Sequence, residues 1–226
     1  MTLLMLVVLL ASLSAPTGAQ MPLQHTFTLR YWGSQFYFGN PSPAVSWYSQ
    51  PGWGLSYRGD TVATPWSFSA SYDRLSAGGQ FWETASLLNA NVHYRFGNMP
   101  NARFSVFAGY GRMNLSDQTG GQGGTGSGAR LGADFLAYLQ QPSGWFATGE
   151  FAWGPSWNSS FPLFPSLANG NSSEYKFALG HEFGQGMAAQ LGWRSFNWNI
   201  PTSPGCTDPG CQFRWSGWTL ELLMRR

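Results

Sequence analysis

Hydrophobic and polar residues alternate along most of this chain. In Leu88–Phe96, Leu88, Ala90, Val92, Tyr94 and Phe96 fall on one side of an extended backbone, and Asn89, Asn91, His93 and Arg95 on the other. A period of two marks a strand with chemically different faces. The same arrangement recurs in Thr26–Phe38, where Phe27, Leu29 and Tyr31 share a face before the apolar parity shifts to Phe36 and Phe38, which predicts a bulge near Gly33. Further copies are read over Val45–Tyr57, Trp66–Asp73, Arg103–Tyr110, Arg130–Leu139, Trp145–Trp153, Glu174–Phe183, Ala189–Arg194 and Gly217–Met224.

About ten strands result, eight being the alternative. Short connections are expected near residues 58–62, 97–102, 141–144 and 184–186, with Arg58-Gly59-Asp60 as a turn. Longer ones are expected near 115–128, 155–172 and 198–212. The Ser116–Gly128 stretch, SDQTGGQGGTGSG, reads as a mobile solvent loop, because its composition offers nothing to bury. No Lys-Ser/Thr ending or following helix gives its glycines a phosphate-binding context.

Tight turns alternating with long loops, joining strands of about ten residues or more, describe a transmembrane β-barrel. A closed barrel satisfies every backbone amide without water, which a sheet in lipid must do. The expected fold is therefore all-β, an antiparallel up-and-down transmembrane β-barrel. Alternation alone leaves the inward face open, so a soluble lipocalin-type barrel is the competing fold.

Composition weighs against that competitor. Charged residues are 10% of the 226, hydrophobic residues 43% and aromatic residues 17%, including 12 Trp. A soluble barrel would carry a richly charged exterior, whereas a membrane barrel needs an apolar belt edged by Trp and Tyr. Trp53, Tyr57, Trp66, Tyr72, Tyr94, Tyr110, Trp145, Trp153, Tyr175 and Trp193 suit such girdles. Trp157 and Trp198 read as loop residues able to offer a carbohydrate-binding surface. A net charge of +2, scattered along the chain, argues against a nucleic-acid partner.

Leu3–Leu13 is a continuous apolar run too short to span a bilayer as a helix, and Thr17-Gly18-Ala19 follows it. Residues 1–19 therefore read as a signal peptide and residues 20–226 as the barrel domain. Cys206 and Cys211, in PGCTDPGC, read as a disulfide closing a small loop in an oxidising compartment. No third Cys or nearby His supports a metal site, and no cofactor is expected.

The whole expected mature chain resembles the small bacterial outer-membrane β-barrel proteins, the OmpA-like and OmpW-like transmembrane barrel group. The likeness is one of architecture, and WTLELLM near the C-terminus looks like their alternating assembly signal, although the chain ends Met224-Arg225-Arg226 instead of in Phe or Trp. The resemblance implies the bacterial outer membrane, its lipid and its assembly machinery, with surface or envelope contacts made through loops.

The polar face carries the candidate chemistry. Asp73, Arg95, Arg103, Arg130, Asp134, Glu150, Glu174, Lys176, Glu182, Arg194 and Glu221 would share a narrow lumen. Charges of mixed sign favour a structural ion-pair core over a selective pore lining. Asp134, Glu150 and Lys176, on successive strands, are expected to meet. No catalytic residue is assigned: among His25, His93 and His181, His93 is interior and could face a Ser or Glu, while His181 shares the lipid-facing parity of Phe177 and Leu179. The expected role is structural anchoring, the alternatives being a narrow passive channel and a lipid-modifying enzyme.

Overall fold

A computed structural model describes residues 23–39, 48–76, 84–99, 101–116, 122–140, 144–160, 169–184, 186–201 and 211–226. The expected signal peptide and Cys206 lie outside these residues. The strands are β1 (Leu23–Gly39), β2 (Tyr48–Thr61), β3 (Trp66–Ser76), β4 (Thr84–Met99), β5 (Ala102–Ser116), β6 (Gln122–Gln140), β7 (Trp145–Ser160), β8 (Gly170–Gly184), β9 (Met187–Ile200) and β10 (Cys211–Arg225). Each pairs antiparallel with its chain neighbour, and β1 pairs with β10 to close the barrel. Reciprocal backbone bonds between His25 and Arg226, 2.8 and 2.9 Å, extend the closure past that ladder. None of the ten described strands is left with a free edge to pair with another chain.

The short-turn end holds both described chain ends. Gly144 (φ 72°) and Gly186 (φ 77°) occupy left-handed backbone there, a region that favours residues without a Cβ. The turn expected at Arg58-Gly59-Asp60 is instead continuous β2, and the chain reverses over residues 62–65. Arg58 and Asp60 therefore project into the barrel.

The side-chain parity resolves the choice between the two barrels. Phe27, Leu29, Leu55, Phe68, Val92, Val106, Leu131, Phe151, Leu179, Leu191, Leu220 and Leu222 face outward and are exposed. A continuous apolar exterior of this extent requires lipid around it. Aromatic pairs edge the belt. Tyr31 meets Trp53 and Trp218 at centroid distances of 5.0 and 5.1 Å on the long-loop side. Trp66–Tyr94 and Trp145–His181 do so on the short-turn side, at 5.0 and 4.9 Å, and His181 thus lies on the outer, lipid-interface face.

Beyond the upper girdle the same parity carries the opposite polarity. On β9, Leu191 and Trp193 face out, but so do Asn197 and Asn199 further along, while Phe196, Trp198 and Ile200 turn inward and are buried. On β4, Thr84 and Ser86 face out and Ala85 and Leu87 face in. On β1, Trp32 and Phe36 point inward, and the register runs unbroken through Gly33, opposite Pro51 and Trp218. The bulge expected near Gly33 is absent from β1. What changes there is the medium outside, from lipid to water, so the apolar residues move to the lumen face. Seven residues of β9, Arg194–Ile200, lie past Trp193, roughly 24 Å of strand at ~3.4 Å per residue. The upper barrel is built like a soluble one, polar outside and apolar within.

The glycine-rich stretch also departs from the expected loop. Gln122–Gly128 is the first part of β6, paired with β5 and β7, and is no solvent loop. A Cβ on Gly126 would sit 2.6 Å from the Trp198 ring, and one on Gly128 would sit 2.6 Å from Trp157. The missing side chains are the space that the two indoles fill. Register shifts at Gly128/Leu131 on β6 and Gly154/Trp157 on β7 bring Trp157 into the interior, against the parity of Phe151 and Trp153.

Candidate functional site

The lumen is filled by two polar clusters and an apolar plug. The first cluster is a chain of alternating charges reaching across the barrel. Lys176 Nζ lies 2.7 Å from Glu221 Oε1, and Glu221 accepts from Arg30 Nε at 2.5 Å. Arg30 then donates to Asp73 at 2.8 Å, and Arg194 reaches the other oxygen of Asp73, also at 2.8 Å. Arg194 and Arg130 hold the two oxygens of Glu174, at 2.6 and 2.7 Å. Glu150 ends the chain, 3.4 Å from Arg130. Each interior carboxylate lies between two cations, and each interior cation between two carboxylates. Such alternation offsets the desolvation that a lone pair of buried ions would suffer.

The second cluster lies nearer the short turns, on β2 to β6. Arg58 bridges Asp60 and Asp134, both at 3.0 Å, and Arg103 reaches Asp60 at 3.1 Å. His93 Nδ1 lies 2.8 Å from Asp134 Oδ2, and its Nε2 lies 2.8 Å from Ser69 Oγ. The His93 ring rests against Phe107, with centroids 5.1 Å apart. At the mouth below, Tyr138 and Arg225 both reach Glu182, and Arg95 donates to the carbonyls of Thr61 and Thr64 at 3.0 and 2.8 Å.

Above the alternating chain the lumen is apolar. The Arg194 guanidinium lies 4.4 Å over the Trp32 ring. Trp32, Phe36, Trp157, Phe196, Trp198, Phe213 and Trp215 then pack in one cluster, none more than 3% exposed. Trp215 Nε1 donates to Gln50 Oε1 at 2.7 Å, which holds one polar group within the plug.

The residues expected on the lumen face separate into these groups. Asp73, Arg130, Glu150, Glu174, Lys176, Arg194 and Glu221 join the alternating chain, Arg103 and Asp134 the second cluster, and Glu182 and Arg95 the mouth. Asp134, Glu150 and Lys176 are neighbours in register, as their strands require. Their charges nevertheless pair elsewhere: Asp134 with Arg58 and His93, Glu150 with Arg130, Lys176 with Glu221. An ammonium or guanidinium reaches across a lumen as readily as along its wall.

Four charged residues escape the sequence reading. Arg30 is opposite in parity to Leu29 and Tyr31, a signal present in the sequence. Arg58 and Asp60 were hidden by the turn assignment, and Arg225 by its place at the chain end. Trp157 and Trp198, expected on a carbohydrate-binding loop surface, are both 0% exposed within the plug. Cys211 opens β10, and no cysteine is free among the described residues. No group of His, Cys, Asp and Glu among the described residues has the makings of a metal site.

This arrangement defines a class: a transmembrane β-barrel with a filled lumen. Among solved structures, the outer-membrane protease OmpT from Escherichia coli is similar over 90% of this chain and 96% of its own, with a TM-score of 0.55 at 10% identity. Ail, the attachment invasion locus protein of Yersinia pestis, aligns over 91% of this chain and 100% of its own (TM-score 0.40, 11% identity). Neisserial surface protein A aligns over 88% and 96% (TM-score 0.37, 9% identity). At such identities the likeness is one of fold, that of small bacterial outer-membrane β-barrels. No protein-family model matches the chain. No curated protein matches it by sequence.

Proposed function

We propose that this chain is an integral protein of a bacterial outer membrane, exported with cleavage near Ala19, and that its barrel is a closed anchor. The filled lumen carries this reading. The alternating chain spans β1, β3 and β6 to β10, and the aromatic plug above it is at most 3% exposed. A barrel sealed in this way holds loops outward and passes little. The connections between β1 and β2, β3 and β4, β5 and β6, β7 and β8, and β9 and β10 leave from the end that stands beyond the belt, which supports envelope or surface contacts at that end. Lipid surrounds the belt, and the alternating β10 segment WTLELLM suits recognition by the outer-membrane assembly machinery. Cys211 pairs with Cys206 across the last of these connections.

Planar-bilayer recording tests the anchor reading against a narrow passive channel. The wild-type protein is expected to give no resolved single-channel steps at physiological salt. Large, ion-selective steps would overturn the anchor and establish the channel.

A further inference from the structure

The cluster nearer the short turns contains a relay that an anchor does not need. Ser69, His93 and Asp134 come from β3, β4 and β6, and both of their mutual contacts are 2.8 Å. With Asp134 accepting from Nδ1–H, the imidazole presents an unprotonated Nε2 to Ser69 Oγ–H. This is the nucleophile, base and orienting carboxylate of acyl-transfer chemistry, recognised by geometry and roles whatever the fold. Arg58 holds the other oxygen of Asp134 at 3.0 Å, which leaves the carboxylate one orientation.

A polar donor also stands beside the nucleophile. Asn91 Nδ2 lies 3.4 Å from Ser69 Oγ, and Asn91 Oδ1 accepts from Arg130 Nη1 at 3.2 Å, so the amide is fixed with its N–H₂ toward the serine. Side-chain amides serve as oxyanion donors in such sites. Ser69, Arg58 and Arg103 are partly exposed, His93 and the Asp134 carboxylate lie buried behind them, and the plug above is sealed, so solvent reaches the cluster from the short-turn end. Arg103, on that side, has a buried Nε with no hydrogen-bond partner, a donor suited to an anionic substituent.

We propose that Ser69, His93 and Asp134 form a nucleophilic site that hydrolyses short-chain carboxylic esters entering from the short-turn end. Ser69 Oγ attacks the ester carbonyl carbon while His93 Nε2 takes the hydroxyl proton. Asn91 donates to the oxygen that gains the electron pair. Collapse breaks the bond to the alkoxy group, which leaves as an alcohol with the proton from His93. Water then attacks the acyl-serine, giving its proton to His93, and collapse returns that proton to Ser69 Oγ and releases the carboxylic acid. Ser69 and His93 are the catalytic residues, and Asp134 is a positioning residue.

The test uses the full mature protein folded in detergent, its fold verified by heat-modifiable gel migration. A fluorophosphonate probe should label the folded wild type, with peptide mass spectrometry placing the adduct on Ser69. Ser69→Ala should abolish labelling, and His93→Gln should slow it about 100-fold or more, the lower end for loss of a general base. Ser71→Ala, at the next lumen-facing serine of β3, should label like wild type. With p-nitrophenyl acetate, Asp134→Asn should lower kcat with little change in KM and alter the pH profile, which a merely structural carboxylate would not do. Absence of a Ser69 adduct on the folded wild type would overturn the proposal, as would equal labelling of folded His93→Gln. Because labelling is read independently of conductance, failure here leaves the anchor reading standing.

Discussion

Glu221 is where the alternating chain should be most vulnerable. It accepts from Arg30 at 2.5 Å, from Lys176 at 2.7 Å and from Gln190 at 2.5 Å, and its side chain is 1% exposed. Glu221→Ala leaves Arg30 with Asp73 but takes from Lys176 the carboxylate it touches. Removing one member of a buried ion pair costs about 3–5 kcal/mol, because the other charge stays buried without compensation. Glu150 provides the contrast: 34% exposed, with a single 3.4 Å contact to Arg130, which Glu174 still holds. Glu150→Ala should cost no more than ~1 kcal/mol, the range for a solvated pair. The assay is urea-dependent folding into lipid vesicles, followed by tryptophan fluorescence. With a slope of about 2 kcal/mol per molar urea, the Glu221→Ala midpoint should fall by roughly 1.5–2.5 M and that of Glu150→Ala by under ~0.5 M. Replacing Lys176 by Met as well as Glu221 by Ala should recover part of the loss, since no orphan cation then remains. Equal shifts for the two single variants, or a double variant no better than Glu221→Ala, would refute the reasoning.

The other expectations test the belt, the plug and the cysteine loop. Val92→Arg places a guanidinium at an outward site in the belt and should destabilise folding into lipid by about 2–4 kcal/mol, whereas Arg74→Ala, outward at the level of the girdle opposite Trp53, should change it by under ~0.5 kcal/mol; both are read in the same vesicle assay. Gly126→Ala brings a Cβ against the Trp198 ring and should cost about 1–3 kcal/mol, as overpacking does, while a neutral result would show that the indole moves freely. Cys206 and Cys211 should lose two hydrogens in the exported protein by non-reducing mass analysis, and Cys206→Ser should still insert, because the bond lies beyond the lipid belt.

How much was legible in the sequence depends on the strand. In β4 and β3, where Val92 alternates with His93 and Phe68 with Ser67, the period of two placed both faces correctly, and the polar face was the lumen. Where a strand continued past the belt, the same rule misled. The parity shift from Tyr31 to Phe36 looked like a bulge because apolar residues were taken to mark one face throughout. Trp157 and Trp198 fall in stretches that read as long connections, yet β7 and β9 continue through them. The Gln122–Gly128 glycines read as loop because a sequence shows what glycine lacks but not which ring occupies the vacancy.

By itself the sequence pointed to about ten strands, eight being the alternative, to their antiparallel order and to most of the charged residues that share one face, which follow from local alternation and turn spacing, while composition favoured turning the apolar face outward. Only the tertiary structure decided where lipid gives way to water along each strand, since that level is set by neighbouring strands in register. It likewise decided which charge meets which. Lys176 finds Glu221 rather than Glu150, and His93 finds both Ser69 and Asp134, because closing a sheet into a barrel brings together side chains that strand order keeps apart. Those contacts depend on closure and stagger around the barrel, which no single strand encodes.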